Sequence, residues 1–483
     1  ASLFGGERMQ EEINEGWKLV LVNQFHDTLP GTHRPEGVPD IKRDYKTAFQ
    51  IGNNLLEKAS QHIAQNLDIN CDMVFFNTLS WQRSDLVKVP VSMTAGAPID
   101  GLQSQTYKGY TYGSARIIPP LGWEDRDVSP VTEGQKPIAA FEKNTIETPL
   151  YQISFNDAGD IESLYDKVND HDVLTAPGNQ FQVFEDDPGR KFSAWDIAYH
   201  FEEYQHPVMM TLPWKMVANG NLFAVLRSEW QVLNSTIQQE MWLYKDNPRI
   251  DFRTTANWQD SRKLLKVAFP LNVRSRTATY DLPFGNIERP THRNTSWEQA
   301  KFEVCGHKWA DLSEGNYGVA LLNDCKYGYD AKGNVLRLSL LRSPVRPDPK
   351  SDIGDHEFTY SLLPHAGNWR QACVDRHAYE LNIPVHVVWA DSSGDGKIPR
   401  NFSLMKQTPP SVIVEALKQP EEGEGLILRA FDNHGSHVKT ELDLTIPMNS
   451  ITETNLMEEE PVEIDGEQVS FSPYEIKTYR ITP

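Results

Sequence analysis

The strongest constraint on this 483-residue chain is a change of hydrophobic period near Asn70. Before that point, two segments carry apolar residues at helical spacing. Beyond it, the apolar runs are short and are cut by Gly, Pro, Asn and Asp, with no helical-period segment between them. Strands that follow one another without crossover helices pair antiparallel and close as sandwiches, whereas a βαβ sheet needs a helix between its strands. The sequence is therefore that of a mainly β protein with a short N-terminal helical segment.

The first helix is expected over Glu11 to Phe25, with Ile13, Trp17, Leu21 and Phe25 at four-residue intervals and Leu19 and Val20 widening the stripe. Glu7, Glu11 and Glu12 suit the positive end of its dipole, and Pro30 and Gly31 stop it. A second helix follows from Ile41, Tyr45, Ala48, Phe49, Leu55, Leu56, Ala59, Ile63 and Leu67, with Asp40 as its N-cap. The two are expected to pack on each other and on further helices outside this sequence. Strands are expected at Val74–Thr78, Leu86–Val91, Tyr151–Phe155, Ile161–Tyr165, Leu222–Leu233, Ile237–Tyr244, Ile250–Thr254, Val335–Leu341, Val412–Ala416, Leu426–Phe431 and Tyr474–Ile481. Ser92 to Gln135 reads as long loops with an occasional edge strand. The expected organisation is a helical segment over 1–69, a small β domain over 70–140, a large β-sandwich over 141–385 and a C-terminal β-sandwich over 386–483.

At this length two to four domains are expected. The formal net charge of -20 and the lack of any Lys/Arg cluster argue against a nucleic-acid partner or an anionic membrane surface. A neutral sugar or a cation fits better. No run is apolar enough to span a membrane, and no signal peptide is visible. Cys71, Cys305, Cys325 and Cys373 form no CxxC pair, so buried thiols in a reducing compartment are expected, with two disulfides as the alternative. The glycosylation triplets at Asn234, Asn294 and Asn401 carry no weight in a chain this long. Ala1 stands only a few residues before a helix that looks internal, so the sequence reads as a piece of a longer protein.

Candidate chemistry begins at Gln24-Phe25-His26-Asp27-Thr28-Leu29-Pro30-Gly31-Thr32. A carboxylate at the negative end of a helix is electrostatically misplaced unless a cation lies beside it. The bland account is a C-cap with Asp27 turned outward. The sharper one is a site in apolar surroundings made by Phe25 and Leu29, where an imidazole and a carboxylate accept a metal such as zinc. Ala194-Trp195-Asp196-Ile197 sets an aromatic beside a carboxylate, as sugar subsites do, although a buried strand Trp is the commoner outcome. Phe184 to Gly189 reads as an acidic turn and Phe284 to His292 as a salt-bridged corner. Asp391 to Gly396 resembles a calcium loop whose twelfth position is Phe402 in place of Glu, so a plain turn is expected.

"WKLVLVNQFHDTLPGT" resembles the helix-end motif of α-mannosidases of glycoside hydrolase family 38. "YDLPFGNIERPTHRNTSWEQAKFEVCGHKWADLSEGNYGVALLNDCKYGYD" and "LSLLRSPVRPDPKSDIGDHEFTYSLLPH" resemble the cytosolic and bacterial branch of that family. The likeness runs from about Trp17 to the closing strand and covers the C-terminal half of such an enzyme. It implies an α/β domain, a helical bundle, and β-sandwich domains including a large supersandwich. It also implies a retaining exo-α-mannosidase acting on mannose-containing oligosaccharides. Its two carboxylates would stand roughly 5–5.5 Å apart, and it would hold one divalent ion, zinc or cobalt.

Carried over, His26 is a metal ligand, Asp27 bonds the mannose hydroxyls, and Trp195 and Arg342 approach the sugar. The nucleophile, the acid/base and the other metal ligands belong to an absent N-terminal catalytic domain. This chain alone is therefore expected to be inactive and to need that domain as partner. The resemblance implies a cytoplasmic enzyme and leaves a homo-oligomer open. The alternative from a different class is a non-catalytic carbohydrate-binding or scaffolding module.

Overall fold

The computed structural model describes residues 1–94, 97, 99, 102–128, 136–189, 191, 193–390, 394–464 and 468–482. It is mainly β, with sandwich-like sheets behind an N-terminal helical hairpin. Helix α1 spans Gln10–Val22 and helix α2 spans Val38–Gln65. They approach closely where Gly16 faces Ile51; a Cβ built on Gly16 would stand 3.4 Å from the Ile51 methyl. Helix α1 stops three residues earlier than its pattern suggests, because the Asn23 side chain turns back to Leu19 O (2.9 Å) and also reaches Asp44 (3.3 Å). Asp40 is not the N-cap of α2. It lies inside the first turn, where it accepts from Arg43 at 2.6 Å, and the cap position is Gly37.

The end of α2 lies on a four-stranded sheet ordered His386–Trp389, Met73–Asn77, Gly122–Arg126, Phe402–Ser403. Ile63, Ala64 and Leu67 pack there on Val74, Phe76, Trp123 and Val388. The opposite face buries Met73 and Phe75 against Val87, Val89, Ala115 and Ile118 of a three-stranded sheet, Arg83–Pro90, Tyr110–Ile118 and Ser104–Tyr107. Three of these strands lie in the stretch expected to be mostly loop. The hairpin signal was Tyr107-Lys108-Gly109-Tyr110, whose two central residues both take positive φ, 47° and 78°. Residues 386–389 and 402–403 pair with the first sheet, although the sequence reading groups them with the last sandwich.

The large sandwich joins a nine-stranded antiparallel sheet, from Met209–Asn219 to Gly285–Pro290 in sheet order, to a six-stranded and a five-stranded sheet. Phe155, Phe181, Val267, Leu338, Trp230, Phe252, Trp258 and Tyr360 share its large core. The turn Asn156-Asp157-Ala158-Gly159 shows how tightly this core closes. Trp230 and Trp214 donate to the carbonyls of Ala158 (3.1 Å) and Gly159 (2.9 Å), and Gly159 takes φ 86° where a Cβ would meet Met210 at 2.7 Å. The helix Val374–Asn382 covers another part of the nine-stranded sheet, burying Val374 and Ala378 on Trp309, Leu322 and Leu363.

A five-stranded sheet, Val412–Lys418 through Val462–Glu463, and the pair Val438–Glu441 with Gln468–Phe471 enclose the last core around Leu428, Phe471, Tyr479 and Ile481. All four cysteines are free thiols; Cys71 is buried, but Cys305 and Cys325 are exposed. No described helix is long and apolar enough to cross a membrane.

Candidate functional site

His26 and Asp27 lie in a series of turns beyond α1, not in its last turn. Thr28 and Leu29 N–H groups both donate to Phe25 O, and Thr32 N–H returns to Asp27 O at 3.0 Å. The imidazole rests against the Phe25 ring, 4.2 Å between centroids, and its Nε2 stands 3.7 Å from Asp27 Oδ2. The other carboxylate oxygen of Asp27 accepts from Thr32 Oγ1 at 2.9 Å. The expectation of a desolvated pair is corrected here. His26, Phe25 and Leu29 are all exposed and Asp27 is half-buried, so within this chain the imidazole keeps its water and the carboxylate loses only part of it. The electrostatic objection to Asp27 also weakens, because it stands well past the helix end.

The pair supplies two donors suited to a borderline divalent ion, an imidazole nitrogen and a carboxylate oxygen. Among the described residues no group of three or more His, Cys, Asp or Glu is placed to hold a metal. A tetrahedral site at His26 would thus draw its remaining ligands from outside these residues.

Trp195 is not a buried strand residue. It ends a 3-10 turn, Ser193–Trp195, with its indole mostly exposed. Arg342 is not a surface side chain either. It projects from the strand Val335–Arg342 and all three of its nitrogens donate inside the protein. Nε binds Asp186 Oδ2 (2.6 Å), Nη1 binds Ala194 O (3.1 Å), and Nη2 binds Ser193 O (2.6 Å) and Asp196 O. Asp186 is almost fully buried, and its second oxygen accepts Ala198 N–H at 2.9 Å. Ser193 Oγ accepts the N–H groups of Val345 and Arg346. Arg342 and Asp186 together therefore fix the loop that presents Trp195.

The acidic run is thus no plain turn: Glu185 pairs with Lys263 and His206, Asp187 pairs with Arg262, and Asp186 is a buried anchor. Sequence reasoning missed Asp186 because its partner lies 156 positions away. The expected salt-bridged corner is a β-hairpin in which Arg289 lies over the Tyr280 ring and donates to Cys305 O. Residues 391–393 of the calcium-like loop lie outside the described residues. The structure brings His26 to Asp27, and sets Arg342 on the backbone carbonyls that flank Trp195. No hydrogen bond, ion pair or ring contact among the described residues joins the two pairs.

The chain is a helical hairpin whose connecting turns carry an imidazole–carboxylate pair, followed by stacked antiparallel sandwiches. Residues 2–63 match the alpha mannosidase middle domain, 146–350 the glycosyl hydrolases family 38 C-terminal domain, and 411–479 the C-terminal beta sandwich domain of the same family. The chain belongs to glycosyl hydrolase family 38. It is 34% identical to alpha-mannosidase 2C1 of Homo sapiens over 460 residues, covering 92% of this chain and 42% of that protein. It is 31% identical to alpha-mannosidase G of Dictyostelium discoideum, covering 97% of this chain and 48% of that protein. The chain thus spans less than half the length of these relatives. The crystal structure of an alpha-mannosidase from Enterococcus faecalis V583 shares the fold with a TM-score of 0.82 at 18% identity, over 98% of this chain and 64% of that one.

Proposed function

We propose that the protein to which this chain belongs is a retaining exo-α-mannosidase that releases terminal α-linked mannose from oligosaccharides, and that this chain is its non-catalytic half. The observation that carries this reading is the His26–Asp27 pair, held beyond an apolar helix with the imidazole exposed and the carboxylate half-exposed. In this reading the nucleophile and the acid/base lie in an N-terminal domain outside the chain. His26 completes a metal site there, and Asp27, steadied by Thr32, hydrogen-bonds hydroxyls of the terminal mannose. The ion, zinc or cobalt, would orient the sugar through its hydroxyls and stabilise developing charge. Trp195 offers an aromatic face to the substrate. In this reading Arg342, which bonds the carbonyls of Ser193 and Ala194, supports the loop that carries Trp195 at the sugar. Four free thiols favour a reducing compartment, in keeping with a cytoplasmic enzyme.

The test is hydrolysis of an aryl α-mannoside with zinc or cobalt, by this chain alone and after combination with the N-terminal half. Silence alone and turnover on combination are expected. In the combined enzyme His26→Ala is expected to abolish stoichiometric metal retention along with activity. Turnover by the chain alone, or full metal content in the His26→Ala enzyme, would overturn the assignment.

A further inference from the structure

The outer face of the nine-stranded sheet is covered at two places and bare between them. The three-stranded sheet covers it over Phe223, Val225 and Trp242, and the helix Val374–Asn382 covers it over Leu322 and Leu363. The gap is a cleft of about 400 Å³. Asp251, Arg253, Glu357 and Thr359 form its floor, from the neighbouring strands Ile250–Trp258 and Gly354–Ala366. Lys88, Tyr112 and Ser114 form one wall, and Glu380 the other. A cleft of this size accommodates a monosaccharide.

The inner carboxylates of this cleft already have protein partners. Asp251 takes two bonds from Arg249 at 3.2 Å, and one each from Tyr244 (2.6 Å) and Ser361 (2.5 Å). Glu380 accepts from Trp81 at 3.0 Å and stands 3.5 Å from His377. Asp85 accepts the Leu86 N–H at 2.7 Å and stands 3.7 Å from Arg83. Two cations are held differently. The Arg253 guanidinium lies 3.7 Å over the Trp242 ring, and the Lys88 amine lies 3.9 Å over the Tyr110 ring. Neither makes an ion pair among the described residues. An aromatic face uses none of a cation's N–H donors. Arg253 also hydrogen-bonds Tyr244 and Tyr112 and lies near Asp251, partners fewer than its five N–H groups, and the Lys88 amine has Glu357 as its opposing charge, so donors remain on both for an oxyanion. Burial, and next the repulsion of Arg253, lowers the Lys88 pKa, and Glu357 opposes this only in part.

The rim is of the other character. Glu357 and Asp246 are exposed carboxylates, and Thr359, Ser114 and Asn247 add a hydroxyl, a hydroxyl and an amide. Carboxylates at the rim repel a polyanion but accept hydrogen bonds from a polyol. We propose that this cleft binds an anionic monosaccharide, with its phosphate or carboxylate against Arg253 and Lys88 and its hydroxyls toward Glu357, Thr359 and Ser114. The inference does not rest on the mannosidase reading.

The experiment is calorimetric titration of the protein with glucose 6-phosphate, glucuronate, glucose and inorganic phosphate, at low and at high salt. Saturable binding of at least one of the two anionic sugars, weakened by salt, is expected. The arm that binds identifies the anionic group as phosphate ester or carboxylate. Lys88→Gln, on an exposed side chain whose loss does not threaten folding, is expected to weaken binding about ten- to a hundredfold, the worth of one charge-assisted bond. Arg253→Gln is expected to weaken it further. Absence of binding by both anionic sugars, equal binding by glucose, inorganic phosphate binding as tightly as its ester, or indifference to Lys88→Gln would each overturn the proposal.

Discussion

Helix α1 and the large sandwich present the same kinds of side chain to opposite fates. Trp17 and Leu21 on the helix and Phe25 just past its end are 57%, 60% and 56% exposed, whereas Trp230, Leu226 and Phe252 are at most 2% exposed. Helix α1 buries no residue at all. The sandwich closes on itself because its apolar faces are supplied by three sheets of the same chain. Helix α1 packs on α2 along the side marked by Gly16 and Asn23, and its Ile13 and Trp17 line an open cleft with Leu417, Leu426 and Met457 of the last sandwich. An exposed apolar stripe of this extent marks a surface made to be covered, and in the proposed reading its cover is the N-terminal half of the enzyme. A helical pattern thus tells which face is apolar and leaves open which part of a protein will bury it.

The sharpest way to test the closed character of the sandwich is to break its most buried charge network. Lys266 is fully enclosed, stands 2.7 Å from Asp330 and 2.9 Å from Ser339, and pairs with Glu303. Lys266→Met leaves two carboxylates facing each other without their shared cation, a change that costs about 3–5 kcal/mol. Denaturant unfolding followed by tryptophan fluorescence is expected to show a loss of that size in the sandwich transition. A loss below about 1 kcal/mol would mean that water reaches these groups and that the interior is more open than it looks.

A second, smaller effect comes from Asp281, which is buried, accepts the Lys308 N–H at 2.9 Å and lies 3.6 Å from the Lys308 amine. Burial pushes its carboxyl up to about 6, against the pull of Lys308. The folded state therefore holds this proton more tightly than the unfolded chain, whose value lies near 3.8. The stabilisation is complete below pH 4 and is lost as pH rises through 6, by roughly 2–3 kcal/mol. Asp281→Asn keeps an acceptor for Lys308 N–H and removes the titration. Its stability relative to the parent chain is expected to improve between pH 4 and pH 7. Parallel pH profiles for the two proteins would show that the carboxyl is not perturbed.

What could be read from the sequence separates along the same line. The strand Tyr151–Phe155 and its turn were legible because the alternation and the Asn156 side chain, which accepts the N–H groups of Ala158 and Asp160, act within a few residues. The strand Gly122–Arg126 was not, although Trp123, Glu124 and Asp125 are buried in mid-sheet. Its neighbours Met73–Asn77 and Phe402–Ser403 come from distant parts of the chain, and its own composition is polar. At the site, His26 and Asp27 stood out as an adjacent pair, and the family resemblance supplied their expected roles. Asp186 and the strut it forms with Arg342 depend on a fold that brings a loop to the end of a distant strand, which no local pattern encodes.

The smallest expected effect is the most informative about the hairpin. Trp17→Ala removes a large aromatic side chain, and the same change at Trp230 would cost about 3–5 kcal/mol. Trp17 is exposed, so its loss is expected to change the unfolding free energy of this chain by no more than about 0.5 kcal/mol. If the N-terminal half covers α1, the substitution should instead weaken recovery of mannosidase activity when the halves are combined, and increasing the concentration of the N-terminal half should restore it. A destabilisation above 1 kcal/mol in the chain alone would show that Trp17 already has a partner here. The contrast between a sandwich closed by its own chain and a helix awaiting its cover would then fail at its most exposed residue.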